Sequence, residues 1–428
     1  MANVVKIVYP TCCGIDVHKD FLVACIARTD ESSNTIHMMR RFSTNTGDLR
    51  RLADWLAFNE CKDVCMESTG KYWVPVYNIL EQTCNVCLTH PKYVKAIKGK
   101  KTDKKDAKWI AELFKCDLVR SSFIPPFEIR QLRDLCRYHT KLTWVVTAEK
   151  NRIQNSLTTS NFKLDAVFSD VFGKSASRIL DSLLALGHSN FEIAPLLDKR
   201  CKATIEEVRA AIDGQLSYAQ GEKIKLMRLH MDHIKGLQDS LELLIMELAE
   251  PYLPQIGLLL TVPGISSKLT AIKIIGEIGA DMSVFETSKH LSSWAGVAPQ
   301  NNESAGKKKT TRISRAGVYL KPLLVQVALA ASRTAKHPEI MDKYQQLLKR
   351  RGHKKSIIAI TRRILTAIWH MFSKNEPYNA KLYHKADKPP ASRVLTPEQA
   401  FDLLRRKGYQ IVEPDSVAKQ SSGDEPAA

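Results

Sequence analysis

The chain has 428 residues, too many for one ordinary hydrophobic core, so two or three domains are expected. Lysine and arginine outnumber the acids 64 to 45, and the resulting +19 points to a polyanionic partner, nucleic acid first. No apolar run reaches bilayer length and no secretory signal is visible, so the expectation is a cytoplasmic protein without a membrane role.

In chain order, Cys12–Asp16 and Phe21–Ala27 are β-rich runs around the polar turn His18-Lys19-Asp20, a hairpin pattern, and Thr35–Phe42 predicts a third strand. Thr46-Gly47-Asp48 opens an amphipathic helix through Leu52, Trp55 and Leu56. Asp63–Glu67 predicts a strand, Tyr72–Leu80 a helix with Pro75 in its first turn, Val86–Leu88 a strand and Lys104–Phe114 a helix. Hairpin strands followed by alternating helix and strand argue for a layered α/β domain over residues 1–122. Ile124-Pro125-Pro126 marks its end, and a helical region follows over 123–250. There Met227, His230, Ile234, Leu237, Leu241, Leu244 and Leu248 alternate three and four apart, a coiled-coil seam within the chain or between two. Beyond Pro251 and Pro254, residues 251–372 read as a helical domain, and 373–428 as a polar extension with one short helix and a disordered end.

All ten cysteines lie in the first half. Cys61, Cys65, Cys84 and Cys87 have a zinc-like spacing, although Cys84–Leu88 reads better as a short buried strand. The acids are more informative. Asp103 and Asp106 share a helix face within a run of lysines that includes Lys101, Lys104 and Lys105. Paired acids repel phosphate, so their use among phosphate-attracting lysines is to hold a divalent cation; the bland alternative is surface ion pairing. Asp16 and Glu67 end predicted strands, and acids at strand ends converge with those of an adjoining helix at one sheet edge. Oxygen ligands alone suit Mg²⁺ or Mn²⁺.

Further on, Ser304 sits among small residues ahead of Lys307, Lys308, Lys309, Arg312 and Arg315. A serine so placed can attack a phosphodiester while the cations hold its phosphates, or it is polar filler in a basic loop. Val262-Pro263-Gly264-Ile265-Ser266-Ser267 looks like a helix-hairpin-helix turn whose backbone could meet a DNA phosphate at Gly264.

Together, Gly14-Ile15-Asp16-Val17-His18-Lys19, Glu67-Ser68-Thr69-Gly70 and Lys101-Thr102-Asp103-Lys104-Lys105-Asp106-Ala107 resemble the Asp-Glu-Asp-Asp motifs of the insertion sequence 110 transposases. Val262-Pro263-Gly264-Ile265, Trp294-Ala295-Gly296-Val297-Ala298-Pro299 and Glu303-Ser304-Ala305-Gly306-Lys307 resemble that family's C-terminal domain, in the family's order. The resemblance implies α/β plus all-α architecture: an RNase H/RuvC-like N-terminal domain, a central coiled coil and a helical C-terminal transposase domain. It further implies Asp16, Glu67, Asp103 and Asp106 as catalytic metal ligands for Mg²⁺ or Mn²⁺, and Ser304 as a nucleophile. Its implied partners are donor and target DNA, a structured guide (bridge) RNA and further copies of the chain, as dimer or tetramer.

Overall fold

The computed structural model describes residues 6–68, 70–94, 103–300, 302–304, 307–383 and 396–409. The N-terminal layer runs β1 (Thr11–Val17), β2 (Phe21–Thr29), β3 (Thr35–Ser43), α1 (Thr46–Phe58), β4 (Asp63–Glu67), α2 (Trp73–Leu80), β5 (Asn85–Thr89), the short α3 (Pro91–Val94) and α4 (Asp103–Lys115). Each element predicted over this stretch is present, with ends moved by a residue or two. The sheet order is β3-β2-β1-β4-β5; β1 to β3 form an antiparallel meander, while β4 runs parallel to β1 and to β5.

Side chains alternate across a strand, so one sequence serves two cores. Cys13, Ile15 and Val17 of β1, with Leu22, Ala24 and Ile26 of β2, pack under α1 and α2. On the opposite face Cys12, Ala27 and Cys65 pack against Ile110, Ala111 and Phe114 of α4. Asp16 and Glu67 belong by parity to this second face.

The helical part continues with α5 (Phe127–Thr159), α6 (Leu164–Val167), α7 (Lys174–Leu186), α8 (Ile205–Ala211), α9 (Tyr218–Leu248), α10 (Leu253–Leu260), α11 (Lys268–Ile278) and α12 (Ser288–Trp294). A hairpin of β6 (Asn302–Ser304) and β7 (Lys307–Thr310) precedes α13 (Leu320–Arg333), α14 (Pro338–Arg351) and α15 (His353–Lys374). The two long helices α5 and α9 lie antiparallel within one chain. Three side-chain bonds fix their register: His139 with Glu242 at 2.9 Å, Gln238 to Thr143 at 2.9 Å, and His230 with Glu149 at 2.9 Å.

This pair spans two cores. Ile129, Leu132 and Cys136 of α5, with Ile245 of α9, join the large core formed by α10 to α15. Ile153 and Leu157, with Ile224 and Met231, instead close over the helices between residues 160 and 215. The predicted seam divides between two faces: Ile234 is buried, along with Ile224, Met231 and Ile245, while Leu237, Leu244 and Leu248 are exposed. A helix apolar on two sides gives the correct spacing for either face.

The chain divides after Tyr378 into two compact units. In the second, α16 (Pro397–Arg406) is the predicted short helix, and the expected disordered end lies outside the described residues. No single helix among the described residues is long and apolar enough to cross a membrane.

Candidate active site

The site begins with a glycine. A Cβ built on Gly14 would meet the Ala107 carbonyl oxygen at 2.3 Å and the Ala111 nitrogen at 2.4 Å, so only glycine lets the α4 backbone rest on β1. The Cys12 thiol bonds the Ala111 carbonyl at 3.6 Å, which sets α4 running opposite to β1. From the Gly14–Ala107 contact Asp16 lies two residues up the strand, about 7 Å. Asp103 lies four residues back along the helix, about 6 Å. The two rises match, and the two carboxylates arrive together. The β1–β4 register pairs Ile15 with Met66; one step further it sets Glu67 beside Asp16 on the same face.

His18 completes the group. Its Nε2 is 3.2 Å from Asp16 and 3.5 Å from Asp103, and the donor atoms of these three residues lie within 4.8 Å of one another. The ring packs against Phe21, centroids 4.6 Å apart, and the Arg41 guanidinium covers the other aromatic at 3.7 Å. Sequence reasoning treated His18 as a turn residue. The signal was available in Asp16-Val17-His18, two donors separated by one residue at a strand end.

Burial raises the Asp16 carboxyl above the usual aspartate value; His18 opposes this, while the charges of Asp106, Asp103 and Glu67 push the same way. All four acids therefore share one electrostatic neighbourhood. A half-buried carboxylate crowded by three others is poorly compensated by one imidazole and well suited to a divalent cation. The residues fit such an ion, with carboxylate oxygens as principal donors and His18 as a possible nitrogen ligand. This is the only candidate metal group among the described residues; Cys61, Cys65, Cys84 and Cys87 form none, being strand and turn residues with free thiols.

Of the lysines expected to meet nucleic acid, Lys104 and Lys105 are exposed on the first turn of α4, and Lys101 lies outside the described residues. Ser304 stands on the β6–β7 hairpin, between α12 and α13 in the chain. Its backbone pairs with Lys307, and Glu303 with Lys308; the side chains of Ser304, Lys307, Lys308 and Lys309 lie outside the described ones. The hairpin is continued by a bridge between Pro299 and Ile313, with Arg312 and Arg315 exposed on either side of Ile313. Gly264 has φ +86°, and a Cβ there would come within 2.2 Å of the Val327 carbonyl oxygen on α13. Packing thus accounts for this glycine; the exposed Ser266–Lys268 stretch beyond it faces solvent.

Residues 13–162 match a family model described as "Transposase", of the DEDD IS110 type, and residues 257–345 match one described as "Transposase IS116/IS110/IS902 family". The chain belongs to the IS110 transposase family. The first IS110 match contains all four acids and His18, and the second contains Gly264, Ser304 and the basic residues after it. The transposase for insertion sequence element IS1111A of Coxiella burnetii is 30% identical over 123 residues, 28% of this chain and 33% of that protein. A pilin gene-inverting protein of Moraxella bovis is 32% identical over 131 residues, 30% of this chain and 39% of that protein. The aligned stretches thus span between a third and two fifths of these relatives' lengths.

Proposed function

We propose that the chain is a DNA recombinase that cleaves and rejoins strands through a serine ester. The meeting of Asp16, His18 and Asp103 where α4 crosses the sheet, with Asp106 and Glu67 near enough to act on the Asp16 charge, carries the reading. A divalent cation, Mg²⁺ or Mn²⁺, would be held there and supply charge to a scissile phosphate. The chain's own residues do the rest. Lys104 and Lys105 hold neighbouring phosphates. The Ser304 oxygen attacks phosphorus, forming a serine–phosphate ester as the bond to deoxyribose oxygen breaks. That oxygen leaves as a hydroxyl, its proton balancing the one the serine gives up to a neighbouring base. A strand hydroxyl then attacks the ester and frees the serine. Bond energy is conserved, so rejoining needs no nucleotide cofactor.

Transposition of an insertion element is the first reading. Inversion is the second, favoured by the likeness to a pilin gene-inverting protein. Both use this chemistry and differ in how the two DNA sites are arranged. The +19 charge supports DNA and a structured guide RNA as partners. A homo-oligomer is supported by the exposed leucines of α9.

The test is covalent trapping on element-end DNA, with and without Mg²⁺, for wild type, Ser304→Ala and Asp103→Ala. A protein–DNA adduct is expected for wild type with Mg²⁺ and for neither variant. An adduct formed by Ser304→Ala sinks the nucleophile assignment. Copurification with the flanking non-coding DNA expressed in the same cells tests the RNA: full recombination by protein free of any specific transcript sinks guidance.

A further inference from the structure

A cavity of about 1210 Å³, far from the acids in sequence, lies wholly between Val167 and Ala203, outside both segments that the family models match. Its two walls are the approach to α7 and the loop from Leu197 to Ala203. They are tied by the Ser175 hydroxyl, which accepts the Asp198 backbone N–H at 2.8 Å, and by Lys174 with the Asp198 carboxylate at 3.7 Å. Asp198 also accepts from the Arg200 backbone, and Asp170 from that of Phe172, so both acids in the lining are engaged locally.

Four cations in the lining are not. Arg178, Lys199, Arg200 and Lys202 are exposed and have no acidic partner among the described residues. An unneutralised set of four inside one concavity repels itself, an arrangement with a purpose only when an anion is brought to it. The first turn of α7 also opens here without a side-chain cap, so backbone dipoles add to the positive field. Phe168 contributes a half-buried ring to the same lining. Cations beside an aromatic wall are the composition of surfaces that take an unpaired strand, the backbone on the charges and a base on the ring.

We propose that this cavity is a second nucleic-acid site, which holds the phosphodiester backbone of an unpaired strand away from the catalytic acids. The inference rests on the chain acting on nucleic acid, and is independent of the Ser304 chemistry.

The experiment uses the full chain and a labelled mixed-sequence oligonucleotide, as DNA and as RNA, followed by anisotropy across a salt series. Wild type is compared with a variant carrying Arg178→Gln, Lys199→Gln, Arg200→Gln and Lys202→Gln. The slope of log affinity against log salt is expected to fall by about 2–3 in the variant, with an unchanged melting temperature. A thiouracil- or thiothymine-substituted strand should photo-crosslink to wild type within residues 167–203. Loss confined to the RNA arm assigns the site to RNA, loss confined to the DNA arm to DNA, and each supports it. An unchanged slope in a folded variant that still cleaves DNA overturns this site alone. Crosslinks that map only elsewhere overturn it as well. If wild type binds neither strand, this site and the recombinase reading fall together.

Discussion

Asp16 carries the strongest obligations of any residue in the site. Its carboxyl is half-buried, feels the charges of three other acids and has His18 as its partial counter-charge among the described residues. Asp16→Asn is therefore expected to abolish Mn²⁺ binding followed by titration calorimetry while leaving the melting temperature equal or higher, since a crowded charge is removed. A variant that binds Mn²⁺ as wild type does would exclude Asp16 from the ligand set. Gly14 acts on the same site through the backbone. Gly14→Ala must displace α4, at a cost of about 1–3 kcal/mol in urea unfolding, and Asp103 and Asp106 move with the helix. Unaltered stability together with unaltered cation affinity would refute this account. That Asp16 and Asp103 would meet was legible from the acids only as a set, since each alone reads as readily as a cap or a surface ion pair. His18 was not, because a histidine in a turn has many structural excuses.

At the scale of elements, α5 is locked to its neighbours by buried charge. Arg137 grips Glu277 of α11 with two bonds of 2.7 and 2.8 Å, and Arg133 donates to the Gly276 and Glu277 carbonyls. Glu277→Ala leaves Arg137 unpaired over the Tyr319 ring and is expected to cost about 2–3 kcal/mol, because Arg137 keeps some solvent access. Glu277→Gln should recover part of that in the same denaturation series.

His139 reports on the same helix. Burial lowers its pKa, Lys273 pushes it the same way, and Glu242 opposes. With Lys273 donating to Nδ1 at 2.9 Å and Nε2 facing Glu242, the ring is held neutral. A depressed histidine binds its proton in the unfolded chain first. Stability is thus fully present above about pH 6.5 and falls as pH drops below it. His139→Gln should flatten this part of the pH–stability curve; an unchanged slope there would assign it to other groups.

β1, β2 and β4 were legible from their apolar, cysteine-bearing runs, since a strand buried on both faces leaves little room for another reading. The α9 seam was legible only in period. Leucines occur on two of its faces, and composition alone does not say which one finds a partner in the same chain. The stretch after Pro299 became a hairpin because pairing between Ser304 and Lys307 depends on a register that a basic, small-residue sequence does not announce.

For the whole molecule, the second stripe on α9 is the feature that asks for another copy. Leu226, Leu229, Leu237, Leu244 and Leu248 follow one side of the helix and are 37–69% exposed, while Met231, Ile234 and Ile245 face α5. Leu237→Lys with Leu244→Lys is expected to convert an oligomer to monomer in sedimentation velocity without lowering the melting temperature. A wild-type chain that sediments as a monomer at micromolar concentration would remove this support for oligomerisation.

The excursion between α5 and α9 has a consequence for how this protein varies. The Gln215 backbone N–H meets the Ser160 carbonyl at 3.1 Å, and that of Lys163 meets Ala211 at 2.8 Å, so the segment leaves and re-enters at a single doorway. A loop closed at its own base can lengthen, shrink or be exchanged without shifting the sheet that carries Asp16 or the hairpin that carries Ser304. Among relatives, gains and losses of chain length should therefore collect between residues 160 and 215, where they leave the rest of the fold in place.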